Sequence, residues 1–248
     1  MNTSNLDEVE DYISKEIITF HKEKLKCLEQ LDLKKILKKK NPYLFKAKNI
    51  NVASDLICEL MDAVLSASEE KIFGDFLENL AVFVVKKIYN GWKSSSTGVD
   101  LELIKDDTHF LVSVKSGPNW GNSSQQKKQE TDFQKAISVL RQSGHIINVQ
   151  PILGICYGKT KTTYPRGYMK IVGQNFWHFL SGNKEFYTDI IEPLGHKARE
   201  HNEYFRKKKD VLINIFTKEF LNSEFCQNGY IDWKKVVEFN SGNLKEKI

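Results

Sequence analysis

At 248 residues, with 40% hydrophobic and 11% aromatic residues, the chain is long enough to bury a core and too apolar to be disordered. No apolar run approaches the roughly 20 residues that cross a bilayer, and the opening MNTSNLDEVEDY is acidic without a signal-peptide h-region, so a cytoplasmic protein with no membrane partner is expected. The net charge of +5 is modest, but Lys34, Lys35, Lys38, Lys39 and Lys40, then Lys127 and Lys128, Lys159 and Lys161, and Arg206 to Lys209 cluster in a way that suits a polyanion as well as solvated helix faces.

Residues 6–40 place Ile13, Ile17, Phe20, Leu25 and Leu28 at helical spacing. That predicts an amphipathic helical arm, stopped by Asn41-Pro42 because the residue before proline avoids the helical region. A second helix is predicted over 54–66, with Ser54 as cap and Leu56, Ile57, Leu60, Met61 and Val64 as its apolar stripe. Ser68-Glu69-Glu70 then opens a third, running to about Ile88 with Phe73, Phe76, Leu77, Leu80 and Val84 inward.

Asn90-Gly91-Trp92 ends that helix and strand texture follows: 98–104, a turn at Asp106-Asp107, and 109–116, which together read as a hairpin. Gly117 to Asn122 cannot continue a strand, and a helix over 124–142 precedes a buried strand over 150–157. Beyond residue 170 the pattern is helical again, over 175–180, 186–194, 196–221 and around Trp233, with Phe176, Trp177, Phe179 and Phe186 spaced as a buried face. The expectation is one compact unit made of an N-terminal helical region (1–66), a core (67–170) and a C-terminal helical region (171–248).

Cys27, Cys58, Cys156 and Cys226 form no CxxC pair, and the nearest histidines, His196 and His201, are five apart. Neither a disulfide framework nor a zinc site is supported.

The chemistry concentrates in the hairpin. Residues two apart on a strand share a face, so Asp100 points with Glu102, and Ser113 with Lys115. Strand pairing then sets a carboxylate near an ammonium at the strand ends. An ordinary surface salt bridge fits that description. So does phosphodiester hydrolysis, in which an attacking water must lose a proton and a divalent cation must take up charge on the phosphate. In that reading Asp100 is a hard oxygen ligand for Mg2+, and Lys115 positions or activates the water and stabilises negative charge.

These residues resemble the PD-(D/E)XK nucleases, and within them the type II restriction endonucleases. Glu78 lies on the preceding helix, Gly98-Val99-Asp100 and Ser113-Val114-Lys115 stand in the motif, and Lys115 follows Asp100 by fifteen residues. Longer stretches, NPYLFKAKNI, IFGDFLENLAVFV, VSVKSGPNWGNSSQ, VGQNFWHFLSG and IIEPLGHKAREHN, resemble a PmeII-type subgroup over roughly residues 41–205. The resemblance implies an α/β restriction-endonuclease-like fold with a mixed central sheet flanked by helices and extended by helices at both ends. It also implies Mg2+-dependent cleavage of double-stranded DNA to 5′-phosphate and 3′-hydroxyl ends, by a homodimer with a DNA methyltransferase encoded nearby but not bound. Asp100, Glu78 and Val114 would be the metal-site residues.

Ser113 departs from the motif, which has Asp or Glu two before the lysine. A hydroxyl brings no charge to magnesium, so another acid is expected to replace it: Glu78 first, Glu102 second. The alternative for Glu78 is a helix acid favoured by the dipole. Asn119, Trp120, Asn122, Ser123, Ser124, Gln125, Gln126, Lys127 and Lys128 follow the lysine directly and form the best candidate DNA contact, since amides read base edges and lysines meet phosphates. Lys159 and Lys161 are a looser candidate recognition loop. A repair nuclease of the same superfamily and a DNA-binding relative without activity remain as alternatives.

Overall fold

The sheet grows outward from a hairpin whose turn uses two aspartates in the left-handed region, Asp106 at φ +48° and Asp107 at φ +57°. Short polar residues tolerate that conformation, and its twist matches paired strands. The hairpin joins β2 (Leu101–Lys105) to β3 (Thr108–Lys115). A two-residue strand β1 (Trp92–Lys93) lies antiparallel outside β2, while β4 (Val149–Ile155) and β5 (Met169–Val172) add in parallel beyond β3, giving the order β1-β2-β3-β4-β5. The computed structural model describes residues 3–142 and 148–242.

Parallel neighbours need a crossover. Helix α5 (Ser123–Gln142) lies between β3 and β4, and a single 3-10 turn at Pro165–Gly167 lies between β4 and β5. Strand alternation sends Leu101, Leu103, Val112, Val114 and Ile152 into one cluster with Phe76, Leu77, Leu80 and Val84 of the helix α4 (Ala53–Tyr89). Leu111, Leu153 and Ile155 enter another with Phe133 and Ala136 of α5. The mixed sheet is thus covered on both faces, as expected for a restriction-endonuclease-like fold.

Before α4 come α1 (Thr3–Glu29), α2 (Leu33–Lys39) and α3 (Pro42–Ala47). After β5 come α6 (Gln174–Ser181), the one-turn helices α7 (Phe186–Asp189) and α8 (Ile191–Leu194), then α9 (Ala198–Leu221), a hairpin of β6 (Cys226–Gln227) and β7 (Tyr230–Ile231), and α10 (Trp233–Ser241). The chain divides into two compact units, both discontinuous in sequence. One comprises the described residues up to Phe20 with Phe73–His196, the other His21–Ile72 with the described residues from Lys197 on. The second unit has its own core, in which Leu33, Ile36, Leu37, Phe45, Leu56 and Met61 pack with Phe216, Phe220 and Val236.

Local chemistry moved several boundaries. The arm expected over 6–40 is two helices, because Asp32 accepts the Lys35 N–H at 2.8 Å and caps α2. Pro42 opens a helix as well as ending one: Asn41 caps α3 and the proline occupies its first turn, where no donor is needed. The helices expected over 54–66 and 68–88 are a single helix of 37 residues, and the Ser68 hydroxyl, instead of capping, donates back to the Val64 carbonyl at 3.1 Å. Strands β1, β5 and the β6–β7 hairpin were not foreseen. Among the described residues no helix is long and apolar enough to cross a membrane.

Candidate active site

The site forms where β2 and β3 part. The Asp100 N–H still donates to the Val112 carbonyl at 2.9 Å, but the chain then turns away, and the Val99 N–H goes to Ser96. The next donor on β3, the Val114 N–H, is taken by the Asp100 carboxylate, Oδ2 accepting it at 2.6 Å. A side chain thereby replaces a ladder partner. The same Oδ2 lies 3.6 Å from Lys115 Nζ and 3.2 Å from Ser113 Oγ. The Asp100 and Lys115 side chains are 20% and 25% exposed, open enough for a ligand.

The departure of the chain is fixed by Gly98. Its φ of +75° suits glycine, and a Cβ there would stand 2.7 Å from Asp132 of α5. Its carbonyl accepts Nε2 of Gln129 at 2.7 Å. Gln129 is buried on α5, and its other amide atom, Oε1, lies 3.1 Å from Ser113 Oγ. Ser113 is fully buried and has one hydroxyl proton for two acceptors, Asp100 and Gln129. Gln129 is not among the residues expected at the site from the sequence. Its signal was spacing: Gln129, Asp132, Phe133 and Ala136 share the buried face of α5.

The two candidate replacement acids are placed very differently. Glu102 is 6% exposed, its carboxylate accepting the Ser94 hydroxyl at 2.6 Å and hydrogen-bonding His109 Nε2 at 2.7 Å, with Trp92 edge-on to His109. That network joins Glu102 on β2 to His109 on β3 and to Ser94 beside β1, and leaves His109 Nδ1 buried without a partner among the described residues. Glu78, on α4, is 29% exposed and pairs loosely with Lys93 at 3.4 Å. The buried Cys156 reports on the neighbourhood: burial pushes its thiol pKa up, the Lys115 ammonium opposes, and the carboxylates of Asp100 and Glu78 add to the rise.

Among the described residues no three His, Cys, Asp or Glu side chains gather into a metal-holding group. Magnesium asks for less, one or two carboxylates with waters and substrate phosphate. Asp100 fits that demand, because its protein partners all meet Oδ2 and Oδ1 takes none among the described residues. Val114 buries its side chain in the core, so only its main chain is left for a cation. His201 stacks on His21 at 4.6 Å.

In the loop after Lys115, Asn122 and Gln125 cap α5 reciprocally: Asn122 N–H donates to Gln125 Oε1 at 2.9 Å and Gln125 N–H to Asn122 Oδ1 at 3.0 Å. Gln126 donates to the Gly121 carbonyl. These three amides are committed to structure, whereas Asn119, Ser123, Ser124, Lys127 and Lys128 are exposed. Trp120 is half-buried against the Phe133 cluster, with Lys115 Nζ 5.6 Å from its ring centre, so it packs and faces the ammonium together. Lys159 and Lys161 are exposed beyond β4. Phe176, Trp177 and Phe186 are core residues, and the Trp177 indole donates to the Cys156 carbonyl at 2.9 Å.

The family model described as type II restriction endonuclease EcoO109I matches residues 7–202. No curated protein matches the chain.

Proposed function

The chain belongs to the type II restriction endonuclease EcoO109I family, and on that premise we propose that Asp100, Lys115 and Glu78 are the centre of a Mg2+-dependent, site-specific cleavage of double-stranded DNA. The products would be 5′-phosphate and 3′-hydroxyl ends. The observation that carries this reading is the Asp100 carboxylate held by the Val114 N–H at 2.6 Å and facing Lys115 Nζ at 3.6 Å.

Asp100, with Glu78 as second acid, would hold the magnesium, which would supply positive charge against the scissile phosphate. The protein's own groups do the rest. The Val114 N–H and Ser113 hydroxyl fix the Asp100 carboxylate in one orientation, a preorganisation that costs nothing at the moment of reaction. Lys115, held between Asp100 and Trp120, orients the attacking water and stabilises negative charge on the phosphate oxygens. Gln129 and Gly98 keep in place the segment leading into β2, from which Asp100 projects.

Exposed Asn119, Ser123, Ser124, Lys127 and Lys128 lie on the chain just after Lys115, which supports their contacting DNA. Trp120, Asn122, Gln125 and Gln126 would shape that loop, and Lys159 and Lys161 would contribute charge. A homodimer would read a palindromic site most simply, and a neighbouring gene for a methyltransferase would protect host DNA. The PmeII-type subgroup remains a finer form of the same proposal.

Incubation with magnesium and unmodified phage DNA tests the reading. Discrete fragments are expected. A smear would favour a repair nuclease, and retained binding without cleavage would favour the inactive relative that Ser113 suggests.

A further inference from the structure

The second unit gathers four lysines around one cavity of about 430 Å³. Lys35 and Lys39 come from one side of α2, Lys40 is its C-cap residue, and Lys71 arrives from α4. Lys38, on another side of α2, stands instead over the Phe239 ring at 5.2 Å. The floor is apolar, made by Ile36, Val64 and Ala67. Asp32 is the carboxylate in the lining, and it is engaged in capping α2. Lys40 Nζ donates to the Ala63 carbonyl at 2.8 Å.

None of these four lysines forms an ion pair among the described residues, whereas Lys24 pairs with Glu69 at 3.0 Å and Lys48 with Glu59 at 2.5 Å in the same unit. Lysines on a merely solvated helix diverge. These four line one concave surface, where like charges repel unless an anion shares them.

We propose that this cavity is a phosphate-binding groove for the backbone of duplex DNA, formed by residues apart from the chemical site; the proposal rests on DNA being the substrate. Its donors are ammonium point charges, without the arginine fork that selects a small oxyanion, and the Ser68 hydroxyl is turned to Val64. Such a lining suits sequence-independent backbone contact.

The test is anisotropy of labelled duplex DNA without magnesium, measured against salt concentration. The variant K35S/K39S/K71S removes three exposed charges from the groove, and K34S/K218S/K234S removes three exposed charges of the same unit outside it. Each lost phosphate contact flattens the log–log salt slope by about 0.9, so the groove variant should lose about 2 to 3 units of slope and the control less than about 1. Thermal unfolding confirms that both variants fold.

An unchanged slope, or an equal change in the control, overturns the groove. Titration with inorganic phosphate, followed by 31P resonance shifts, separates the sources: saturable phosphate binding lost in the groove variant, with an unaltered DNA slope, removes DNA as occupant. Should the wild type cut specifically while the groove variant keeps its slope, only the groove falls. A wild type that neither binds nor cuts overturns the nuclease reading with it.

Discussion

The Val114 N–H donates to Asp100 Oδ2 at 2.6 Å, so one carboxylate both closes the end of the β2–β3 ladder and faces Lys115. Structure and proposed chemistry therefore respond separately to substitution. Asp100→Ala should abolish cleavage and also cost about 1–3 kcal/mol, because a buried N–H loses its acceptor. Asp100→Asn keeps an acceptor and should abolish cleavage at less than about 1 kcal/mol. Urea denaturation beside a cleavage assay checks both; two variants equal in stability would contradict the ladder role.

Glu78 and Glu102 should separate in the opposite sense. Glu78→Gln breaks only a loose, exposed pair with Lys93, worth about 0–1 kcal/mol, but should slow cleavage by at least about 100-fold. Glu102→Gln disturbs a buried network with His109 and Ser94 and should cost about 2–4 kcal/mol while the folded enzyme still cuts. Single-turnover rates paired with unfolding curves decide it. Normal cutting by Glu78→Gln would mean that Ser113 is not compensated by that acid.

Gln129→Leu leaves the Gly98 carbonyl without its donor and the Ser113 hydroxyl with Asp100 as its one acceptor, and should cost about 1–3 kcal/mol, with a fall in kcat larger than any change in KM. A KM effect alone would place Gln129 in binding instead.

What could be read from the sequence follows the range of the forces involved. The Asp106-Asp107 turn and the alternation of Asp100, Ser113 and Lys115 are local, and the hairpin was legible from them. Strands β1 and β5 were not, since two and four residues are too few to show a period of two. Ser68 looks like a helix cap, but the apolar stripe continues on both sides of it, so α4 runs on. Gln129 stayed hidden because its partners, Gly98 and Ser113, reach it only through tertiary packing.

In the second unit, burial, then the stacked His201 and nearby Lys24, hold the His21 imidazole down to about 4, against an opposing pull from Glu69. The sign follows from linkage. Between about 4 and the ordinary 6.5 the unfolded chain binds a proton that the folded state does not, so stability is lost as pH falls through that window. His21→Gln should flatten the pH dependence of the urea midpoint between those limits. A slope as steep as the wild type's would assign the acid sensitivity elsewhere.

Asp100 and Lys115 are proposed to cut DNA together. Single-turnover digestion of unmodified phage DNA with magnesium, by the wild type, Asp100→Asn and Lys115→Ala, measures it directly. Discrete fragments from the wild type are expected, with rates at least about 1,000-fold lower from two variants that still fold and bind DNA. Wild-type rates from either variant would place the cleavage on other residues and overturn this assignment.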